Sequence, residues 1–192
     1  MARRHPNRIA VTDADTSLLC GIVGWPLRLA ETIATETKPG DLIGIVLPTS
    51  SMFPLAMLAC LAAGRPFVAL DPHYPGNWLG QVLEDARPAL IIGREDVPGG
   101  VETVAPTARV IHLTRLPRSR AKGLATRRTR RGPARMRGVY LRSTGRPKGI
   151  VNSQRNLLQR VAQSINAAHV NAEDRFLTLA SLCAPSSACE TP

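Results

Sequence analysis

Asp41 to Ile92 reads DLIGIVLPTSSMFPLAMLACLAAGRPFVALDPHYPGNWLGQVLEDARPALII. Its first apolar run, Leu42 to Leu47 (LIGIVL), follows the loop residues Pro39, Gly40 and Asp41 and reads as a buried strand. Ser50 and Ser51 then stand where an N-cap belongs, Pro54 falls in the first turn of an apolar stretch, and Gly64 ends it, so a helix is bracketed at both ends. Pro66 to Leu70 (PFVAL) is the next strand. Asp71, Pro72, Pro75 and Gly76 make a turn-rich break before Trp78, Leu79, Val82 and Leu83, whose spacing of three and four puts them on one helical face. Ala89 to Ile92 (ALII) closes the stretch as a third strand.

Working outward, Arg8 to Thr12 (RIAVT) reads as a strand, and Pro26 to Lys38 as a helix with proline in its first turn. Arg109 to Leu113 (RVIHL) and Val139 to Leu141 (VYL) read as further strands, with a loop from Ser143 to Gly149 between the latter and a helix opening near Asn152 or Ser153. Leu157, Leu158, Val161, Ile165 and Ala168 are expected to be the buried stripe of that helix, and Phe176 to Ala180 (FLTLA) a last strand. Strands alternating with helices over short connections define an α/β fold, a mostly parallel sheet covered by helices. No internal repeat or sustained heptad is present.

The 192 residues carry 25 Lys plus Arg against 14 Asp plus Glu, a net charge of +11. The surplus is local. Thr103 to Ala172 holds 16 basic residues and no acidic one, and Thr114 to Gly138 alone has 10 basic residues in 25 with no aromatic and no apolar period. Of the basic residues 22 are Arg, as GC-rich coding sequence also produces. A nucleic-acid-binding protein using this arm is the alternative function. It is disfavoured because no aromatic lies between Trp78 and Tyr140 to stack on bases, leaving nonspecific phosphate contact at most. Cys20, Cys60, Cys183 and Cys189 show no CxxC spacing, so no metal site and no disulfide framework is indicated, and a reducing cytoplasm is the expected location. The N-terminal MARRHPNRIAV lacks an apolar signal core, and Met52 to Ala63 is too short to span a bilayer, so no membrane association is expected.

Chemistry concentrates in one loop. Ser143, Thr144, Gly145, Lys148 and Gly149 combine two hydroxyls, two permissive backbone sites and an ammonium directly after a strand. Such a loop can wrap phosphate oxygens, although a solvated polar turn has the same composition. Lys148 lies between Pro147 and Gly149, which excludes the Walker pattern.

VYLRSTGRPKGIVNSQRNLLQRV resembles the phosphate-loop signature of the adenylate-forming superfamily, approximately YTSGSTGxPKG. CLAAGRPFVALDPHYPGNWLGQVLEDARPALII is similar to a second block of that family, LxAGxxYVPLDPxYP leading to DAxP, and HPNRIAVTDADTSL and PGDLIGIVLPTS resemble its opening region. The DPxYP form favours the adenylation domains of nonribosomal peptide synthetases. The resemblance implies the partial N-terminal domain of an adenylate-forming enzyme, which activates a carboxylic (amino) acid with ATP and Mg2+ to an acyl-adenylate, usually passed on to a thiol, with a carrier protein or a completing chain as partner. It implies that Ser143, Thr144, Gly145, Lys148 and Gly149 hold the ATP phosphates, and that Asp71, Pro72, Tyr74 and Pro75 form a structural turn. Asp71 and His73 are accordingly read as turn residues rather than catalytic ones, and catalytic residues remain unassigned, since the family's later motifs have no candidate here.

Between Tyr140 and Ser143 stand only Leu141 and Arg142, where the family pattern has Thr, Ser and Gly. A shorter loop without its first glycine shifts its N–H groups, so weak ATP binding and no activity of the chain alone are expected. The expected organisation is 1–113 as an α/β segment, 114–138 as an Arg-rich irregular segment, 139–182 as strand, phosphate loop and helix of the same domain, and 183–192 as an irregular tail. The shortened loop and the acid-free composition fit an out-of-frame reading between compensating indels from Thr114 to about Arg142. The coding DNA read in its other two frames is expected to give acidic, family-like text there; its absence from both frames would set the idea aside.

Overall fold

A computed structural model describes residues 5–20, 24–95, 108–113, 135–140 and 148–178. Its elements in chain order are β1 (Ile9–Thr12), β2 (Ser17–Leu19), α1 (Gly24–Glu36), β3 (Ile43–Val46), α2 (Met52–Ala63), β4 (Phe67–Leu70), α3 (Gly76–Ala86), β5 (Leu90–Gly93), β6 (Val110–His112), β7 (Arg135–Tyr140), β8 (Lys148–Ser153) and α4 (Gln154–Ala167). Six strands form one sheet in the order β6-β5-β3-β4-β7-β8. All neighbours are parallel except the last pair, β7 and β8, which is antiparallel.

Side-chain alternation explains the layers. Ile43, Ile45, Phe67, Leu90 and Ile92 face one way and pack with Trp25, Leu29 and Ile33 of α1 and Phe53, Ala56 and Cys60 of α2. Val46, Val68, Leu70 and Ile91 face the other way, onto Leu79, Val82 and Leu83 of α3. Every residue of β3 is buried, as its unbroken apolar run requires. Gly44 leaves room on the α3 side, where a Cβ would stand 3.2 Å from Cγ1 of Ile91. α2 ends where the sequence says it should, with Gly64 at φ 66°.

Arg65, only 8% exposed, is charged yet faces no acid among its hydrogen-bond partners. Its Nε donates to Thr37 Oγ1 (3.0 Å), and its terminal nitrogens donate to the carbonyls of Thr37 (2.9 Å) and Ala63 (2.9 Å). Thr37 in turn donates to Ile33 O at 2.5 Å. The cation thus joins the C-terminal ends of α1 and α2, where helix dipoles favour positive charge.

Several expectations are corrected. Arg8 to Thr12 does not enter the large sheet; β1 pairs antiparallel with β2 in a separate two-stranded ribbon. Asp13 Oδ1 accepts the N–H groups of Asp15 (3.1 Å) and Thr16 (2.8 Å), turning the chain back at once. The strand expected at Val139 to Leu141 begins earlier, at Arg135, inside the stretch expected to be irregular, because β7 finds a parallel partner in β4 through Phe67↔Met136 and Val68↔Arg137. Ser153 does cap α4, accepting the N–H of Asn156 at 3.1 Å, but the stripe expected to be buried is not. Leu158 is 60% exposed, and Val161, Ile165 and Ala168 are also exposed, while Leu157 is half-buried, because no described element lies over that face. Residues 176–178 form no strand, Phe176 and Leu177 are exposed, and the rest of FLTLA lies outside the described residues. Among the described residues no helix is long and apolar enough to cross a membrane.

Removing the Arg65 guanidinium strands the carbonyls it satisfies. Arg65→Ala is expected to lower unfolding free energy by about 2–4 kcal/mol in urea denaturation followed by circular dichroism. Arg65→Lys is expected to recover only part of this, since one ammonium cannot span both helix ends; a loss under about 0.5 kcal/mol for Arg65→Ala would contradict the strut.

Candidate functional site

β3, β4, β5, β6 and β7 run the same way, so their C-terminal ends share one edge. From that edge β3 leaves into α2 over one face, while β4 leaves into α3 over the other and returns past β3 to β5. Adjacent strands whose connections depart to opposite faces open a crevice between them, the usual place for a ligand in such sheets. Here its walls are Leu47–Ser51 after β3 and Asp71–Pro75 after β4. β7, next in the sheet, ends at the same edge.

The β7–β8 hairpin bears on the proposed phosphate residues. Its pairs run from Arg135↔Ser153 to Val139↔Gly149 and Tyr140↔Lys148. Lys148 and Gly149 therefore open β8 instead of closing a loop, since continuing the ladder satisfies their main-chain groups. Ser143, Thr144 and Gly145 lie outside the described residues.

Two arrangements escape local sequence reading. The first is Asp13, whose Oδ2 accepts the N–H of Ser51 at 2.7 Å. Ser51 is the N-cap residue of α2, but its own hydroxyl makes no capping bond; a carboxylate 38 positions away serves the helix N-terminus instead. That N–H, above all, and next the Ser51 hydroxyl lower the Asp13 pKa from its ordinary 3.8 to about 2; burial opposes them, and the N–H groups of Asp15 and Thr16 add to the lowering. The second is the turn after β4. Asp71, 8% exposed, accepts at Oδ1 the main-chain N–H of His73 (3.0 Å) and stands 2.7 Å from His73 Nδ1. Tyr74 and Trp78 meet edge to face with centroids 4.9 Å apart, joining this turn to the first turn of α3. The spacing Asp-x-His hints at this pair, whereas nothing local hints at Asp13.

The fold is one shared with solved adenylate-forming enzymes. The solved structure of O-succinylbenzoate coenzyme A synthetase (MenE) from Bacillus subtilis in complex with AMP superposes with a TM-score of 0.79 at 20% identity, over 95% of this chain and 48% of that one. The sequence model of the AMP-binding enzyme family matches residues 2–137, and the chain belongs to that family. Syringomycin synthase SyrB1 of Pseudomonas syringae pv. syringae is 30% identical over 178 residues, 90% of this chain and 28% of the relative. Novobiocin biosynthesis protein H of Streptomyces niveus is 32% identical over 194 residues, 93% of this chain and 32% of the relative. The chain spans about a third or less of these two curated relatives. The relatives it resembles include nonribosomal peptide synthetases.

Because the Asp13 pKa is lowered on folding, its contribution is present above the unfolded value and disappears as pH falls from about 4 towards about 2. Asp13 is partly exposed, so solvent screening limits the effect to the order of 1 kcal/mol. Asp13→Asn is expected to cost that amount at pH 7 and to flatten the stability profile below pH 4; a variant with the same acid profile as the parent would contradict the assignment.

Proposed function

We propose that this chain forms the ATP-phosphate end of an adenylation domain that activates a carboxylic acid, an amino acid in the peptide-synthetase branch. A carboxylate oxygen of the acid attacks the α-phosphorus of ATP, the bond from that phosphorus to the bridging oxygen breaks, and pyrophosphate leaves. The supporting observation is the β7–β8 hairpin, which stands beside β4 and pairs Tyr140 with Lys148 at the end where the chain passes from one strand to the other. In this reading the hydroxyls of Ser143 and Thr144, the N–H groups of Gly145 and Gly149 and the ammonium of Lys148 surround the phosphates. Mg2+ enters as the complex with ATP. Among the described residues no group of three or more His, Cys, Asp or Glu could hold a metal, so none is assigned as its ligand.

The share of the relatives matched, 28% and 32%, supports assigning phosphate binding to these residues and turnover to a larger assembly. The acid pocket, the acceptor thiol on a carrier protein and the remaining donors to the leaving group would be supplied there. The alternative of a basic nucleic-acid-binding arm gains nothing. Residues 114–134 lie outside the described residues, and the final four of that segment, 135–138, belong to β7.

Purified 192-residue chain is expected to bind ATP in equilibrium dialysis, with Lys148→Ala weakening it about tenfold or more at unchanged far-ultraviolet circular dichroism. The same preparation is expected to show no acid-dependent exchange of pyrophosphate into ATP. Equal binding by the variant would remove Lys148 from the site, and exchange by the chain alone would refute the division of labour.

A further inference from the structure

The turn Asp71–Pro75 contains more than a turn needs. A reversal there is secured by the N–H of Tyr74 donating to Asp71 O (3.1 Å) and that of His73 donating to Asp71 Oδ1 (3.0 Å). The His73 ring adds nothing to the reversal, yet its Nδ1 is held 2.7 Å from the same carboxylate oxygen. The holder is inside and the held group outside, with side-chain exposures of 11% for Asp71 and 66% for His73. Nδ1–H donated to Asp71 leaves Nε2 as the free nitrogen, and among the described residues it makes no hydrogen bond.

The surroundings point to a ligand independently. Among the described residues the buried side-chain atoms Ser50 Oγ and Trp78 Nε1 lack a hydrogen-bond partner; Ser50 lies in the segment that leaves β3, and Trp78 in the first turn of α3, which follows β4. Buried donors are rarely left orphaned, and a gathering of them beside a crevice marks a place where a polar ligand belongs. The crevice also shares its edge with the β7–β8 hairpin.

We propose that the Asp71–His73 pair is an anion-binding arm of this edge, with a phosphate group of the nucleotide as its ligand. His73 is the contacting residue and Asp71 the positioning one. A phosphate oxygen is an acceptor, so Nε2 must carry a proton to meet it. With the Asp71 carboxylate on one ring nitrogen and the phosphate on the other, the doubly protonated ring is flanked by negative charge on both sides. The phosphate loop is one residue shorter than the family pattern, and this arm supplies a contact from a neighbouring strand. In the pattern DPxYP the position of His73 is the open one, so the arm belongs to this chain's own sequence. The inference rests on the reading of the chain as an ATP-binding fragment.

The test uses the full 192-residue chain with its histidines labelled by nitrogen-15. ATP and pyrophosphate are each expected to move the His73 ring resonances towards the imidazolium pattern, whereas adenosine and acetate leave them in place. His73→Gln, at an exposed ring, is expected to weaken ATP and pyrophosphate binding about tenfold with adenosine unaffected. Asp71→Asn is expected to change the His73 tautomer signature in the free chain, a readout that loss of a mere turn residue would not give. ATP binding that is sensitive to Lys148→Ala but unchanged in His73→Gln, with His73 resonances unmoved, would overturn the arm and leave the phosphate reading standing. Absence of ATP binding by the parent chain would overturn both.

Discussion

A parallel strand buried on both faces needs cover on both, and β3, like β5, is buried along its whole length. α1 and α2 cover one face of the sheet and α3 the other. To deliver those helices, the chain must leave β3 and β4 in opposite directions, and the crevice at their C-terminal ends is the geometric result. The site is therefore a by-product of how the core is closed, and its walls are fixed by residues with no chemistry of their own.

What the sequence made legible follows from how local the cause was. β3, α2, β4, α3 and β5 each carry their reason within a dozen residues: an apolar run, a proline in a first turn, a glycine after a last one. RIAVT has the composition of a strand, but the partner of β1 is chosen by the Asp13 turn that follows it, which no local pattern in RIAVT reveals. The α4 stripe keeps its helical period yet stays exposed, because period reports amphipathicity and not the presence of a covering element. Lys148 and Gly149 have the chemistry of a loop, but the ladder opposite Tyr140 and Val139 claims their backbone. The Asp71–His73 contact was visible as a spacing, but a spacing says nothing of which partner is buried.

Charge in this chain divides by location rather than by sign. Arg65 is held by neutral carbonyls at two helix ends, whereas Arg8 reaches Glu173 and Arg109 reaches Glu36 across partly exposed surface. The first arrangement is insensitive to salt and the others are screened by it. Most of the positive surplus instead falls in the acid-free block from Thr103 to Ala172, so the net charge describes one segment and says little about the domain around it.

Among the residues whose burial is described, the two apolar clusters draw their buried members from Leu18 to Leu113, and none from α4. A ribosome releasing this chain therefore frees a sheet that can seal both of its faces before the codons for the hairpin are translated. What emerges afterwards, β7 beside β4, β8 at the sheet's margin and the exposed stripe of α4, is added to strands already covered by α1, α2 and α3. The division between an early, self-sufficient block and a late, adhesive one is written into the order of synthesis.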